Sequence, residues 1–308
     1  MTGMKLNEET IETPPRPAAS LLMLRDVPTP SGATQMEVYL MKRHSNSKVL
    51  GGAYVFPGGK LDPDDTQVVT SEQLLQSKHD LHQHLQEPEQ SAEGAAALYV
   101  AALREAFEEC GVLFAKHDHA HQGLDFSQST QELSDQLTQG VAFSKALKAL
   151  NLLLDTEALC PWARWITPKT PTVSNQRFDA RFFVGMMPSG QSAKHDNVEA
   201  THSVWITPQA ALQSYCNQEI ELAAPQIMSL LGLSEFVSAR EVLARARAQR
   251  PVKIEPHSTS IDGVRAVCFP GDALHPVQDK LLYGPTRLWF KDGRFEPSEG
   301  INRLLMNF

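Results

Sequence analysis

The sequence has few cysteines, and their spacing argues against a covalent or metal framework. Four cysteines, Cys110, Cys160, Cys216 and Cys268, are spread along 308 residues, and no two of them form a Cys-x-x-Cys pair. Disulfide frameworks and zinc knuckles usually need closely spaced cysteines. We therefore expect reduced thiols and a cytosol-like compartment.

Long apolar runs and an excess of basic residues are also missing. No stretch of 18 apolar residues occurs, so the sequence predicts neither a transmembrane helix nor a membrane partner. Asp and Glu number 36 against 28 Lys and Arg, which gives a formal net charge of −8. Binding to nucleic-acid backbones needs a basic surface, so this charge argues against a nucleic-acid partner. A small anionic substrate is still compatible, because a bound metal or a local basic pocket inverts the field.

Neither end of the chain resembles a targeting signal. The segment MTGMKLNEETIETPPRP is polar and includes acids, unlike a secretory or mitochondrial signal. The final Met-Asn-Phe differs from a peroxisomal Ser-Lys-Leu address. Together with the cysteine pattern, these features predict a cytoplasmic protein.

The order of apolar and polar segments predicts a mixed α/β (α+β) fold, a sandwich of sheet and helices. Helical spacing occurs at residues 95–110, 143–154, 208–218 and 234–249. Apolar runs of strand length occur at residues 18–27, 36–44, 162–168, 177–187, 202–208, 264–271 and 286–296.

The same pattern suggests where the chain divides. Residues 1–17 are expected to be a flexible tail that ends in prolines. A main domain is expected over residues 18–232, with a helical insertion within the polar stretch 66–103. Residues 233–308 are expected to form an extension that packs on the main domain. We find no internal repeat in the sequence.

The segment ALREAFEECGVLFA, residues 102–115, crowds like charge onto one helix turn. At about 100° per residue, Glu105, Glu108 and Glu109 share one arc, with apolar residues on the opposite arc. Gly111 is a natural residue to follow the helix end. A solvated acidic face, with Arg104 paired to Glu108, is one interpretation. The other is a Mg²⁺ site built from carboxylate oxygens.

A second segment decides between these interpretations. In FPGGKLDPDD, Gly59 is followed six positions later by Asp65, and REAFEECGV supplies Arg104, Glu105, Glu108, Glu109, Gly111 and Val112 in a fixed register. This arrangement resembles the box of the Nudix hydrolase family, G-x5-E-x7-R-E-U-x-E-E-x-G-U, where U is a bulky aliphatic residue.

The chain departs from that box in two ways. The seven-residue spacer has grown to residues 66–103, so an insertion splits the motif. An aspartate stands at the first acid, and Asp62 and Asp64 compete with Asp65 for its role.

The resemblance implies an α/β/α Nudix sandwich with a mixed sheet, and metal-dependent hydrolysis of a diphosphate with Mg²⁺ or Mn²⁺. The expected metal ligands are Glu105, Glu108, Glu109, Asp65 and the carbonyl of Gly59. Arg104 is expected to orient the glutamates. The general base in this family is often a later glutamate. That implies Glu199, with Asp196 as the alternative, so the expected catalytic residues are Glu109, Glu108, Arg104 and Glu199.

A narrower resemblance concerns the substrate. The spacing from Arg43 through Lys48 and Gly52 to Phe56 partly matches Nudix coenzyme A diphosphatases, and residues 18–275 resemble the branch that includes the mammalian peroxisomal enzyme. That resemblance implies cleavage of coenzyme A or acyl-coenzyme A, with Arg43, Lys48 and Arg177 binding phosphates. Solvated cations or ion-pair partners are the alternative interpretation for each.

Other functions stay open at this stage. ADP-ribose, NADH, another dinucleotide or a capped RNA end could be the substrate of the same chemistry. A non-catalytic module that binds a nucleotide belongs to a different class, and the retained carboxylates argue against it. The insertion could cap the active site, set specificity or mediate a homodimer.

Overall fold

The centre of the fold is a mixed sheet that separates two hydrophobic cores. The structure is a computed structural model and describes residues 4–47, 49–118, 120 and 125–306. In this part of the chain the sheet has eight strands in the order β10-β7-β8-β1-β2-β3, with β4 added to β1 and β9 added to β2. The strands are β1 (Arg16–Pro28), β2 (Thr34–Arg43), β3 (Tyr54–Val55), β4 (Gly58–Lys60), β7 (Leu159–Ile166), β8 (Phe178–Met186), β9 (Ala200–Ile206) and β10 (Val252–Ile254).

Alternation along β1 shows how one strand serves both cores. Leu21 and Met23 enter one core, whereas Leu22 and Leu24 enter the other. Successive side chains of a strand point to opposite faces, so a strand covered on both faces reads as a continuous apolar run. The segment LLML is such a run, and it lies parallel to β8.

Helices cover both faces of this sheet. The first core holds α1 (Pro63–Thr70), α2 (Lys78–Leu85), α3 (Ala92–Cys110), α4 (Phe126–Thr138) and α5 (Phe143–Ala149), with the small hairpin of β5 (Ala115–His117) and β6 (Leu152–Leu154). The second core holds α6 (Pro208–Cys216), α7 (Ala224–Leu233) and α8 (Ala239–Ala248). This mixed α/β architecture confirms the predicted fold class.

The C-terminal part adds a second sheet to the second core. Its strands are β11 (His257–Ile261), β12 (Val264–Cys268), β13 (Arg287–Lys291) and β14 (Arg294–Glu296), each antiparallel to the next. Val267, Leu288 and Phe295 pack with α6 and α7 in one core. The boundary at residue 232 therefore does not separate two cores, although where the domains divide stays a prediction.

Helix α3 positions the site and is almost wholly buried. It begins after Ser91, whose side chain accepts a hydrogen bond from the N–H of Gly94, and ends at Gly111, whose φ is +67°. Alanines over residues 95–102 allow the close approach of neighbouring elements, because they add little bulk. Even Glu109, which lies on the acidic arc, is only 4% exposed.

The predicted helical insertion is confirmed as α1 and α2 packed on α3. Its last loop is anchored to the sheet, because Glu87 accepts hydrogen bonds from Arg181 at 3.0 and 2.6 Å. Arg164 of β7 also contacts Glu87, at 2.9 Å. The Arg181 side chain is 2% exposed. A buried charge pair of this kind fixes the position of the insertion on the sheet.

Three sequence-based predictions about local structure need correction. The helix expected over 143–154 ends at Ala149, because Asn151 takes a left-handed φ of +52° and the chain turns into β6. Helix α7 was not expected. The tail over residues 1–17 is not free where it is described, since the backbone N–H of Asn7 donates to the carbonyl of Thr172 and β1 already starts at Arg16.

No helix in the part of the chain that the structure describes is both long and apolar enough to cross a membrane.

Candidate active site

The glycine turn of β4 lies directly against the carboxyl end of α3. The N–H of Gly58 donates a hydrogen bond to Oε2 of Glu109 at 2.8 Å. A Cβ added to Gly59 would collide with the carboxylate of Glu105. A side chain at position 59 would therefore displace this carboxylate, the flexible end of Glu105. The turn and the helix bring together two segments that the insertion separates in sequence.

Arg104 organises the acids around it. Its Nε and Nη2 donate to the two carboxylate oxygens of Asp65 at 2.8 and 3.1 Å. Its Nη1 donates to Glu105 and to Glu108, both at 2.9 Å. Burial by itself lowers the pKa of Arg104, but the hydrogen bond to Asp65 and the nearby carboxylates outweigh it and raise the pKa overall. The expected orienting role of Arg104 matches this geometry.

Asp65 does not occupy the position expected of a metal ligand. It is completely buried, and both of its oxygens accept hydrogen bonds from Arg104. One of them also accepts the N–H of Asp62, so Asp65 closes a capping box at the start of α1. Asp62 caps the same helix, and Asp64 binds Ser144 at 2.6 Å. Each of the three competing aspartates thus has a structural partner.

Burial and mutual repulsion raise the pKa values of the glutamates. Burial, followed by the charges of Glu105 and Glu199, raises the pKa of Glu109 to about 8. Burial and the charges of Glu108 and Glu199 raise the pKa of Glu105 to about 7, against the opposing charge of Arg104. Burial also raises the pKa of Glu108. Such coupled, perturbed carboxyls are typical of functional sites.

Glu199 directly precedes β9 and lies at the same site. The N–H of His44 donates to its carbonyl, and Arg43 Nη2 lies 3.7 Å from its Oε2. The β2–β9 register shifts between Lys42 and Arg43, which marks an irregularity beside the site. The Glu199 side chain is 59% exposed, so it is open to water and substrate.

Asp196, the alternative candidate for the general base, binds backbone N–H groups in the structure. Its carboxylate accepts the backbone N–H groups of Val198, Glu199 and Ala200 at 3.0–3.2 Å. Its own N–H donates to the carbonyl of Glu109. Asp196 therefore holds the loop that carries Glu199 against the end of α3.

The three predicted phosphate-binding residues have different outcomes. Arg43 lines the cavity described below, and its Nε is buried without a partner among the described residues. Lys48 lies outside the described residues. Arg177 is directed elsewhere: it is 8% exposed and donates to the carbonyls of Thr167 and Thr13. Its guanidinium thus braces the start of β8, and its contact with substrate stays a prediction.

A cavity of about 940 Å³ opens beside the carboxylates. The charged residues of its wall lie near β4, α3 and the Glu199 loop: Arg43, His44, Lys60, Asp62, Arg104, Glu105 and Glu199. The rest of the wall comes from β7, β8, α7 and the C-terminal sheet and includes Trp165, Phe182, Gln226, Ser258, Val267 and Phe295. This volume lies at the upper end of the range for small-molecule sites.

The match of this architecture to known proteins identifies the family. A family model described as the NUDT19 Nudix domain matches residues 16–233, more than half of the chain. The chain belongs to this Nudix family and is a Nudix hydrolase.

Relatives and solved structures agree with this assignment. The acyl-coenzyme A diphosphatase NUDT19 of Xenopus laevis is 27% identical over 282 residues, which cover 82% of this chain and 74% of that protein. The protein of the same name from Gallus gallus is 26% identical over 306 residues, covering 85% and 80%. A NUDIX hydrolase structure from Alicyclobacillus acidocaldarius matches with a TM-score of 0.59 at 24% identity, covering 78% of this chain and 98% of that one. It shows the shared fold.

Nudix hydrolases generally use divalent metal ions, and the carboxylate cluster of this one fits such an ion. Among the described residues no group of three His, Cys, Asp or Glu side chains is placed so that it could hold a metal ion. Mg²⁺, however, is usually held by one or two carboxylates with substrate phosphates and water. Glu105 and Glu109 supply such a pair, and the charge of Glu105, which a cation would neutralise, helps burial to raise the pKa of Glu109. The glycine at position 59 lets the carboxylate of Glu105 lie close against β4.

The sequence did not reveal the uncharged half of the cavity of this Nudix hydrolase. Its residues come from separate strands and from α7, and none belongs to a motif. The apolar character of VRAVCFPG predicted a strand but could not show which cavity that strand borders.

Proposed function

We propose that this Nudix hydrolase is a metal-dependent diphosphatase that cleaves coenzyme A or acyl-coenzyme A. The products would be 3′,5′-ADP and (acyl-)4′-phosphopantetheine. The observation that carries the proposal is a single cavity that joins a crowded carboxylate cluster to an uncharged, aromatic half. A diphosphate with a long uncharged arm matches this combination. The names of the relatives from frog and chicken support the same substrate class.

The glutamates of α3 take different parts in this proposal. Glu105 and Glu109 would hold Mg²⁺ or Mn²⁺, and Glu108 has one oxygen bonded to Arg104 and a side chain that is 40% exposed. When bound, the metal neutralises phosphate oxygens and activates water. Arg104 donates hydrogen bonds to Glu105 and Glu108, and Asp65 in turn accepts one from Arg104. The cluster is therefore positioned before substrate arrives.

Glu199 is the proposed general base. Its carboxylate is exposed next to the cluster, and Asp196 fixes the backbone that carries it. From there it would accept a proton from the attacking water, which requires hydrogen-bond reach to that water. Arg43 contacts Glu199 and has an unpartnered Nε among the described residues, so it is the proposed ligand of a phosphate oxygen. Lys48 stays a predicted phosphate ligand.

A product screen tests the chemistry. The protein is incubated with Mg²⁺ or Mn²⁺ and with coenzyme A, acetyl-coenzyme A, ADP-ribose or NADH, and the products are identified by mass. We expect 3′,5′-ADP from the coenzyme A compounds, and loss of turnover with EDTA. Glu109→Gln should lower the rate by orders of magnitude. Glu93→Gln is the matched control, because Glu93 lies on the same helix in a surface pair with Lys78.

The outcome separates the remaining alternatives. Cleavage of ADP-ribose or NADH without cleavage of coenzyme A would keep the carboxylate cluster and refute the substrate. A full rate in Glu109→Gln would refute the role of the cluster. A second comparison uses the two arginines: Arg43→Met should raise KM, whereas Arg177→Met should lower the melting temperature and leave KM unchanged.

Cellular location and assembly stay predictions from the sequence. The cytoplasmic location rests on the cysteine pattern and composition, and the homodimer is an open alternative for the insertion. In the structure the insertion packs on α3 and on β7 and β8, and its surface pair of Lys78 and Glu93 faces outward.

A further inference from the structure

The uncharged half of the cavity has walls that are not simply apolar. Four of its residues carry a buried polar atom that has no hydrogen-bond partner among the described residues. These atoms are Nε1 of Trp165, Oγ1 of Thr172, Oε1 of Gln226 and Oγ of Ser258. An unmade hydrogen bond on a buried group destabilises the folded protein. Four such groups around one cavity call for a functional explanation, because native structures leave few of them unpaired.

The types of these atoms restrict the group that could satisfy them. The indole N–H of Trp165 is only a donor, and Oε1 of Gln226 is only an acceptor. The hydroxyls of Thr172 and Ser258 can do either. A ligand group that both accepts and donates a hydrogen bond, and that carries no charge, matches this set. A secondary amide has these properties.

The start of α7 adds donors to the same wall. The helix follows Ala223, whose side chain cannot cap it, and Ala224, Pro225 and Gln226 line the cavity. The first N–H groups of a helix have no partner within the helix. Ala224 and Gln226 carry such N–H groups, whereas Pro225 has none, and a carbonyl oxygen of a bound ligand is a suitable acceptor for them.

Charge distinguishes an amide from a phosphate at this wall. The charged side chains that line the cavity lie near the carboxylate cluster and the Glu199 loop, whereas the lining residues from β7, α7 and the C-terminal sheet include no Lys, Arg, Asp or Glu. A phosphate bound at this end would meet no cation from these elements. An uncharged ligand group is therefore favoured over an anion.

We propose that Trp165, Thr172, Gln226 and Ser258 form a subsite for the uncharged, amide-bearing arm of the substrate. This rests on the proposed function and makes it more specific. The diphosphate would lie at the carboxylates, and the arm would extend towards α7 and the C-terminal sheet. The C-terminal sheet, with Ser258, Val267 and Phe295 in the wall, would then determine which arms are accepted.

Two substitutions test the subsite. Gln226→Met keeps the length of the side chain and removes its amide, and Ser258→Ala removes one hydroxyl. Each lost hydrogen bond should raise KM for coenzyme A about 10-fold, since 1.4 kcal/mol is tenfold in an equilibrium constant. KM for ADP-ribose, which lacks the amide arm, should not change. The melting temperature should stay equal or rise, because an unpaired buried group is removed.

The controls are matched in chemistry and location. Gln213→Met changes an exposed glutamine of α6, and Ser260→Ala changes a serine of the same strand β11 that does not line the cavity. Neither should alter KM for coenzyme A.

Direct binding separates this inference from the proposed function. Pantetheine, which has the amide arm and no phosphate, is titrated into the full-length protein and into Gln226→Met by calorimetry. Weak binding that Gln226→Met abolishes supports the subsite, even if the protein does not hydrolyse coenzyme A. No binding of pantetheine to the unmodified protein, or binding and KM unaffected by both substitutions, would overturn the subsite even if coenzyme A is cleaved. Binding of inorganic phosphate that depends on Gln226 would show an anion site and would also overturn it.

Discussion

Replacing Glu109 with glutamine should change how the stability of the metal-free protein depends on pH. The pKa of Glu109 is raised from about 4.5 to about 8 in the folded protein, first by burial and then by the charge of Glu105. A carboxyl with a raised pKa binds its proton more tightly in the folded state than in the unfolded chain. The free energy of unfolding therefore decreases as the pH rises from about 4.5 to about 8. The glutamine side chain of the variant would carry no titrating proton, and its amide oxygen could still accept the N–H of Gly58.

The magnitude follows from these two pKa values. A single group with them lowers the free energy of unfolding by about 2 kcal/mol between about pH 6 and about pH 8. In a protein of this size 1 kcal/mol corresponds to about 1.5 °C in melting temperature, because the entropy of unfolding grows with chain length. We expect Glu109→Gln to remove a decrease of about 3 °C across this pH range, and to be the more stable protein at the alkaline end.

The assay is thermal and urea unfolding in EDTA, followed by tryptophan fluorescence at both ends of this pH range. Glu93→Gln is the control, because Glu93 is half exposed and pairs with Lys78 on the surface. The control should keep the pH dependence of the unmodified protein. If Glu109→Gln keeps the same dependence, or loses several kcal/mol at the alkaline end, the account of a buried, repulsive carboxylate cluster is wrong.

Three further substitutions test the parts that position the cluster. Gly59→Ala should lower kcat about 100-fold in a steady-state assay, because the new Cβ displaces the carboxylate of Glu105. Asp65→Asn should lower the free energy of unfolding by about 3 kcal/mol in urea titrations, because it breaks a buried pair. Asp196→Ala should lower kcat with little change in melting temperature, because the carboxylate that fixes the loop of the general base is lost.

Controls and contrary outcomes differ among these three. Gly94→Ala, on the exposed first turn of α3, should leave kcat unchanged, and full activity of Gly59→Ala would contradict the tight contact. For Asp65, the partly buried pair of Arg25 and Glu37 is the comparison: Glu37→Gln should cost less stability than Asp65→Asn, because Arg25 is 40% exposed whereas Asp65 is fully buried. If the pH profile of kcat is unchanged in Asp196→Ala, Asp196 does not position Glu199.

Local sequence determined the helix, the turn and the main chemistry of the site. The run of helix formers and the glycine at position 111 fixed the extent of α3 to within three residues. The spacing of Glu105, Glu108 and Glu109 fixed a shared arc of that helix, because the rotation per residue is constant. The family resemblance depends on these same short-range features, so the insertion that splits the Nudix box did not hide it.

Only the tertiary structure decided what each group in the cluster contacts. Asp65 is a metal-ligand candidate in the sequence, but folding buries it against Arg104, which lies 39 positions away. Arg177 looks like a free cation, but folding directs it to backbone carbonyls. Burial raises the pKa values of the glutamates, and this burial depends on how β4 and α1 pack against α3.

The substrate cavity also has one part that the sequence reveals and another that only the tertiary structure assembles. Its charged half lies beside two motifs that periodicity and spacing reveal in the sequence. Its uncharged half is assembled from β7, α7 and the C-terminal sheet, and two of its residues, Trp165 and Phe295, lie 130 positions apart in the sequence. Side-chain periodicity predicts which face of an element is buried, but it carries no information about which distant element lies opposite. The sequence therefore determined the reaction chemistry, and the packing of distant elements decided the space in which a substrate can fit.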